Sequence, residues 1–151
     1  MGGVAEFAQL LDDARVVGLD SMAFIYHFEA HPAYGALTQA LFSRLERGDL
    51  RACTSALSLC EVLTGALKAG NSRLAQIYRQ VFELLPNLSV AAVDTACAAL
   101  AAQVRVESGL RTPDALQIAA AALGGAEAFI TNDARLRQST RIRVVVLGDY
   151  V

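Results

Sequence analysis

The fold is decided by residues 16–28, VVGLDSMAFIYHF, in which a short apolar segment ends on an acid and a helical pattern follows at once. The uninterrupted apolar run predicts a strand over 15–20 that is buried in a sheet. Ser21 has the side chain of a helix N-cap, and the residues beyond it predict a helix through residue 29. The segment therefore predicts a strand-to-helix unit with Asp20 at the turn.

The same alternation of strands and helices continues along the chain. Short apolar runs predict the strands 15–20, 50–54, 87–93, 126–131 and 141–148. Apolar residues at helical spacing predict the helices 4–14, 21–29, 32–47, 56–70, 72–85, 95–109, 113–124 and 133–138, with Ser55, Asp94 and Thr112 as further N-caps. Because strands alternate with helices, the sequence predicts one α/β domain over 1–151, in which helices flank a five-stranded parallel sheet and an extra N-terminal helix lies within 1–14.

The composition fits one globular domain without a membrane or secretory segment. Hydrophobic residues make up 54 % and charged residues 19 % of the 151 residues. No stretch reaches the ~20 apolar residues that span a bilayer, and no basic region precedes an apolar run at the N-terminus. Three cysteines without CxxC spacing (Cys53, Cys60 and Cys97) are interpreted as small buried residues of a cytoplasmic protein. The net charge of −2 neither favours nor excludes a nucleic-acid partner.

Four acids fall at positions that a parallel sheet brings together. Asp20 ends the first predicted strand and Asp133 follows the fourth, so both belong to the edge where ligands of open α/β sheets bind. Asp114 lies in the first turn of its helix, and Glu61 lies in the helix after the second strand, among apolar neighbours that predict partial burial. Taken singly, Asp20, Asp114 and Asp133 are each explained as residues that favour a helix start.

Taken as a set, these carboxylates predict a metal site. Clustered carboxylates repel one another, and hard cations such as Mg²⁺ or Mn²⁺, which prefer oxygen ligands, relieve that repulsion. Such a site orients a water for in-line attack on phosphorus. Thr131 and Asn132, beside Asp133, are candidates to orient a carboxylate or a water.

The order of these residues resembles the PIN-domain family, and in particular the VapC-like toxins of prokaryotic toxin–antitoxin pairs. Four segments carry the resemblance: VVGLDSMAFIYHF (16–28), TSALSLCEVLTGAL (54–67), LRTPDALQIAAA (110–121) and FITNDARLR (129–137). They are similar to the family's first acid and its strand, the helix with the second acid, the helix with the third acid, and the closing strand with its T-N-D turn.

The resemblance implies both a site and a function. It implies a PIN-like domain with Asp20, Glu61, Asp114 and Asp133 as the catalytic, metal-binding acids and Ser21, Thr131 and Asn132 as their helpers. It also implies Mg²⁺- or Mn²⁺-dependent cleavage of RNA, commonly tRNA or mRNA, a homodimer, and inhibition by a small cognate antitoxin. The chain departs from the family's simplest pattern because a helix precedes the first strand.

Several alternatives stay open at the level of sequence. The arginines at 135–143 are interpreted either as a solvated face or as RNA contacts, with Arg135 and Arg137 the candidates nearest Asp133. A non-catalytic PIN-fold module that binds RNA or protein is the main alternative to a nuclease. A phosphatase with Asp20 as nucleophile is disfavoured because Met22 stands where a second acid is expected. His27 and His31 are interpreted as surface residues.

Overall fold

The computed structural model describes residues 2–151, which form seven α-helices, five β-strands and two short 3₁₀ helices. The α-helices are α1 Val4–Asp13, α2 Ser21–Phe28, α3 Gly35–Arg47, α4 Ala56–Lys68, α5 Ser72–Leu84, α6 Thr95–Ser108 and α7 Thr112–Leu123. The strands are β1 Val16–Leu19, β2 Arg51–Ser55, β3 Leu88–Ala91, β4 Ala128–Thr131 and β5 Arg143–Val146. The 3₁₀ helices are Ala134–Gln138 and Leu147–Tyr150.

All five strands are parallel, in the order β3-β2-β1-β4-β5. The central strand β1 pairs on one side with β2, where Val17 lies opposite Ala52, and on the other with β4, where Val17 lies opposite Ala128. The predicted α/β fold with a five-stranded parallel sheet is therefore confirmed. The carboxyl ends of β1 and β4 lie side by side, so the residues that follow them share one edge of the sheet.

Two apolar clusters hold the helices on the sheet. The larger one joins β1 to the helices α1–α5 through side chains such as Leu19, Phe24 and Tyr78. The smaller one packs α6 and α7 through Val104, Ile118, Phe129 and their neighbours. Each buried Leu, Ile or Phe side chain in these layers contributes about 1.5–3 kcal/mol of transfer free energy.

A glycine in β1 sets how closely α7 approaches the sheet. A Cβ atom on Gly18 would lie 2.7 Å from the Cβ of Ala121 and 2.9 Å from a ring carbon of Phe129. Neither α7 nor β4 has room for it, so only glycine lets α7 lie against the strand that ends at Asp20.

The helix predicted to begin at Pro32 begins instead at Gly35, after a turn. In this turn, the Nδ1 atom of His31 accepts hydrogen bonds from the backbone N–H groups of Ala33 (3.1 Å) and Tyr34 (3.3 Å). The histidine side chain thus satisfies the amides that a helical turn would have used.

The predicted N-caps are partly wrong. Asp20, and not Ser21, caps α2, because its carboxylate accepts a hydrogen bond from the N–H of Met22 at 2.9 Å. Ser55 stands at the cap position of α4, but its side chain makes no capping bond and donates to Gln117 instead. Asp94 caps α6 as predicted, whereas Thr112 is itself the first residue of α7.

Other local predictions also need correction. The segment predicted as a strand over 141–148 is a strand only at 143–146, and a 3₁₀ helix follows it. Cys53 and Cys97 are buried as predicted, but Cys60 is exposed. His27 is half-buried, since its ring stacks on Phe42 with centroids 4.4 Å apart. Within residues 2–151, none of the helices has the length and apolar character that crossing a membrane requires.

Candidate active site

Asp20 lies at the carboxyl end of β1 and is half-buried. One carboxylate oxygen accepts the hydrogen bond from the N–H of Met22, and the other accepts a short hydrogen bond from the hydroxyl of Thr131 on β4. Burial raises the pKa of Asp20 to about 7, although both hydrogen bonds act in the opposite direction, and the charge of Glu61 raises it further. A carboxylate that is buried without a cationic partner is a strong candidate for a metal ligand.

Glu61 lies on α4 and faces the same region. The residue is exposed, so the partial burial that the sequence predicts for it is wrong for the residue as a whole. Desolvation of its carboxyl group nevertheless raises the pKa of Glu61, a hydrogen bond from Gln117 lowers it, and the charge of Asp114 raises it. Glu61 therefore interacts electrostatically with both other acids, because its charge also acts on Asp20.

Gln117 holds Glu61 in place, although it is not among the site residues that the sequence predicts. Its Nε2 atom donates to the carboxylate of Glu61 (3.1 Å) and to the hydroxyl of Ser58 (2.8 Å), while its Oε1 atom accepts from Ser55 (2.9 Å). Gln117 is buried on α7, one turn after Asp114. A glutamine in an otherwise apolar helix segment is the only signal in the sequence that pointed to it.

Asp114 lies in the first turn of α7, as predicted, and is half-buried. It lines a cavity of about 150 Å³ at the start of this helix. The cavity's walls are formed by Gly109, Leu110, Arg111, Asp114, Arg135 and Gln138. Arg111 and Arg135 therefore share this cavity with Asp114, and Arg135 belongs to the 3₁₀ helix that follows β4.

Asp133 has surroundings that differ from those of the other acids. It caps the first 3₁₀ helix by accepting from the N–H of Arg135 at 3.0 Å. The Nε atom of Arg135 also lies 3.0 Å and 3.1 Å from its two carboxylate oxygens. These hydrogen bonds lower the pKa of Asp133, and the charge of Arg111 lowers it further.

The remaining predicted residues occupy distinct places around the acids. Thr131 is buried and links two of them, because its hydroxyl donates to Asp20 and accepts from the N–H of Asp133 at 3.1 Å. Ser21 is buried at the first position of α2. Arg137 is turned away and pairs with Asp149.

Asn132 contacts no acid and instead braces the turn that carries Asp133. Its amide nitrogen donates to the hydroxyl of Tyr26 at 3.0 Å, and its amide oxygen accepts from the N–H of Gly148 at 2.9 Å. These bonds connect the turn after β4 to α2 and to the second 3₁₀ helix.

The chemistry of the donors fits a hard divalent cation. Asp20, Glu61 and Asp114 offer only oxygen atoms and come from three different elements. The negative charge of Glu61 raises the pKa of Asp20, and that of Asp114 raises the pKa of Glu61. As the side chains stand, no three His, Cys, Asp or Glu residues within 2–151 lie close enough together to hold an ion. Binding a cation therefore requires these carboxylates to converge on it, which their mutual repulsion opposes until the cation arrives.

Several solved structures that share this architecture are described as toxin–antitoxin proteins. A DNA-bound VapBC from Salmonella typhimurium aligns with a TM-score of 0.69 at 21 % identity, over 88 % of this chain and 98 % of that one. VapBC2 from Rickettsia felis, bound to a DNA fragment from its promoter, aligns with a TM-score of 0.68 at 16 % identity, over 86 % and 97 %. VapC20 from Mycobacterium tuberculosis, described as a toxin that cleaves the sarcin–ricin loop, aligns with a TM-score of 0.66 at 17 % identity, over 84 % and 98 %.

At these low identities, the solved structures show only that the fold is shared. The match to a family model identifies the family of the chain. No curated protein matches the sequence. The model of the PIN domain matches residues 17–141, which extend from β1 to the residues just before β5 and include all four acids. Since this match covers most of the 151 residues, the chain belongs to the PIN-domain family.

Proposed function

We propose that this protein is a divalent-metal-dependent endoribonuclease that uses Mg²⁺ or Mn²⁺ to hydrolyse phosphodiester bonds in RNA. The observation that carries the proposal is the electrostatic coupling of Asp20, Glu61 and Asp114, three carboxylates from three elements at one edge of the sheet. Asp133, the fourth predicted acid, follows β4 at the same edge. Hydrolases that attack phosphorus commonly collect carboxylates in this way to hold a cation.

Asp20, Glu61 and Asp114 are the residues that would hold the cation, with Asp133 beside them. When bound, a divalent cation activates water and offsets the negative charge that develops on the phosphate oxygens. Thr131 keeps the Asp20 carboxylate oriented by donating to it, and Gln117 does the same for Glu61. These hydrogen bonds limit the rotation of the two carboxylates in the absence of substrate.

The same proposal assigns the protein to the toxins of VapBC-type toxin–antitoxin systems. It is supported by the descriptions of the structural neighbours, which include toxin–antitoxin complexes and a toxin that cleaves an RNA loop. The partners proposed for this chain are accordingly tRNA or mRNA as substrate, a cognate antitoxin, and a second copy of the chain in a cytoplasmic homodimer.

Cleavage of a mixed RNA pool tests the enzymatic part. Wild type is compared in Mg²⁺, in Mn²⁺ and in EDTA with Asp114→Asn and with Asp13→Asn, a matched change at an exposed residue of α1. We expect cleavage by wild type and Asp13→Asn that requires the metal, and none by Asp114→Asn. No cleavage by folded wild type in either metal would favour the alternative, a non-catalytic PIN-fold module that binds RNA or protein.

Growth of a bacterial host tests the toxin assignment separately. Induced wild type should arrest growth, while induced Asp20→Asn should not, because the variant lacks a metal-binding carboxylate. Equal growth of both strains, at equal protein levels, would remove the toxin assignment and leave the nuclease proposal to the cleavage assay.

A further inference from the structure

The cavity beside Asp114 combines a suitable size with two arginines. Its volume of about 150 Å³ equals about five waters at ~30 Å³ each, which is room for a phosphate group. Arg111 lines it from the turn before α7, and Arg135 lines it from the first 3₁₀ helix. Guanidinium groups bind phosphate in a bidentate manner, so a pair of them on one cavity indicates an anion.

Arg111 is available for such a ligand. It is exposed, and it forms no ion pair with any of the residues 2–151. The two other arginines nearest in sequence to Arg135 are engaged away from the cavity. Arg137 pairs with Asp149, and Arg141 pairs with Glu107 on α6.

Asp133 fixes the position of Arg135. Its carboxylate binds the Nε atom of Arg135 with both oxygens and also accepts from the N–H of the same residue. A guanidinium that is held along one edge keeps its remaining N–H groups directed at a ligand and loses less side-chain freedom on binding it. The other three acids have no such cationic partner within residues 2–151.

We propose that this cavity binds a phosphate of the RNA backbone next to the bond that is cleaved, that Arg111 and Arg135 hold this phosphate, and that Asp133 orients Arg135 instead of holding the metal. The inference rests on the proposed nuclease function. Asp114 forms part of the cavity's wall, so a phosphate bound there lies beside the metal-binding acids. The site reads no base and is therefore a non-sequence-specific contact.

Three measurements on the intact chain of 151 residues test this assignment. Steady-state cleavage of a fluorescent single-stranded RNA gives kcat and KM, and its salt dependence counts the phosphate contacts. Fluorescence anisotropy measures the binding of the same RNA, and electron paramagnetic resonance measures the binding of Mn²⁺ without RNA. The variants are Arg111→Ala, Arg135→Ala, Asp133→Asn and the double variant of the last two, with Arg141→Ala as the matched control.

We expect Arg111→Ala and Arg135→Ala each to raise KM by about tenfold with little change in kcat, and to reduce the slope of the salt dependence by about one. Asp133→Asn should raise KM similarly and leave the affinity for Mn²⁺ unchanged. The double variant Asp133→Asn/Arg135→Ala should be no worse than Arg135→Ala, because both changes remove the same contact.

The outcomes separate this inference from the function on which it rests. If wild type cleaves RNA and the two arginine variants behave like Arg141→Ala, the phosphate site is wrong and the nuclease proposal stands. If Asp133→Asn weakens Mn²⁺ binding by more than about tenfold, Asp133 is a metal ligand and its assigned role is wrong. If folded wild type neither cleaves nor binds RNA, both proposals are wrong.

Discussion

Asp20 and Asp133 follow neighbouring strands, and both form a hydrogen bond with the hydroxyl of Thr131, Asp20 through its carboxylate and Asp133 through its N–H. Their carboxylates nevertheless have opposite electrostatic environments. Asp20 is half-buried, has only neutral hydrogen-bond donors, and its pKa is raised to about 7 by burial. Asp133 is bound by the guanidinium of Arg135, and its pKa is lowered. Position at the end of a strand therefore does not decide what a carboxylate does. The partners that surround it decide whether it attracts a cation or already has one.

The largest expected effect follows from this difference. Asp20→Asn removes a carboxylate that has no cationic partner in the protein, so kcat/KM for RNA cleavage should fall by about a thousandfold. Asp133→Asn should lower it by only about tenfold, through the loss of a well-placed Arg135. Steady-state cleavage at saturating Mg²⁺ measures both values.

The proposed difference between Asp20 and Asp133 is wrong if the two substitutions lower kcat/KM by the same factor. Equal losses, together with equal losses of Mn²⁺ affinity, would mean that both acids bind the metal. Asp13→Asn, on the exposed face of α1, shows how much a change from Asp to Asn costs outside the site.

The second effect is a pH dependence of stability in EDTA. The pKa of Asp20 is about 7 in the folded chain, whereas that of an unfolded Asp is 3.8. Between these two values the folded state holds a proton that the unfolded state has lost. The free energy of unfolding therefore decreases as the pH rises from 4 to 7. The full difference corresponds to about 4 kcal/mol above pH 7. Because Asn also gives up part of the hydrogen bonding to Thr131, we expect Asp20→Asn to be about 3 kcal/mol more stable than wild type at pH 8 and no more stable at pH 4.

Urea denaturation at both pH values measures this effect. Asp133→Asn should behave in the opposite way, since its lowered pKa stabilises the fold above pH 4 and this contribution is lost as the pH falls. Its effect should stay below about 1 kcal/mol, because the ion pair is partly exposed to solvent. A loss of stability in Asp20→Asn at pH 8 would show that the ionised carboxylate of Asp20 does not destabilise the fold.

The sequence predicts the strands and the shared edge better than it predicts the side-chain partners. Apolar runs locate the strands, and the rule for parallel sheets places Asp20 and Asp133 at the same edge. The strand order that makes β1 and β4 neighbours is known only from the structure. The exposure of Glu61 was missed because its apolar sequence neighbours lie on other faces of α4, each about 100° further round the helix.

Contacts between distant parts of the chain were also missed, for a different reason. The hydrogen bonds of Gln117 to Ser55, Ser58 and Glu61 join residues that are more than fifty positions apart, so they depend on how α4 and α7 pack. The pairing of Asp133 with Arg135 is local, but it depends on the side-chain conformation of a largely exposed arginine, which the apolar pattern of the sequence does not specify.

The third effect concerns the hydrogen bond from Gln117 that holds Glu61 near Asp20 and Asp114. Gln117→Leu keeps the buried volume but removes the donor to Glu61, so kcat/KM should fall by about tenfold and more Mg²⁺ should be needed for half-maximal activity. Ser58→Ala removes a partner of Gln117 and leaves Glu61 bonded, so it serves as the matched control. An unchanged requirement for Mg²⁺ in Gln117→Leu would mean that Glu61 needs no positioning.

The smallest effect concerns the turn that carries Asp133. Asn132→Ala removes the hydrogen bonds to Tyr26 and Gly148 and should lower the free energy of unfolding by about 1 kcal/mol. Tyr26→Phe removes one of the same bonds, so the two changes together should cost less than their sum in a double-mutant cycle. Because the turn places Asp133 and Arg135 but not Asp20, Asn132→Ala should raise KM for RNA and leave Mn²⁺ affinity intact. Weaker Mn²⁺ binding in this variant would place Asp133 with the metal ligands and remove the distinction between the two acids.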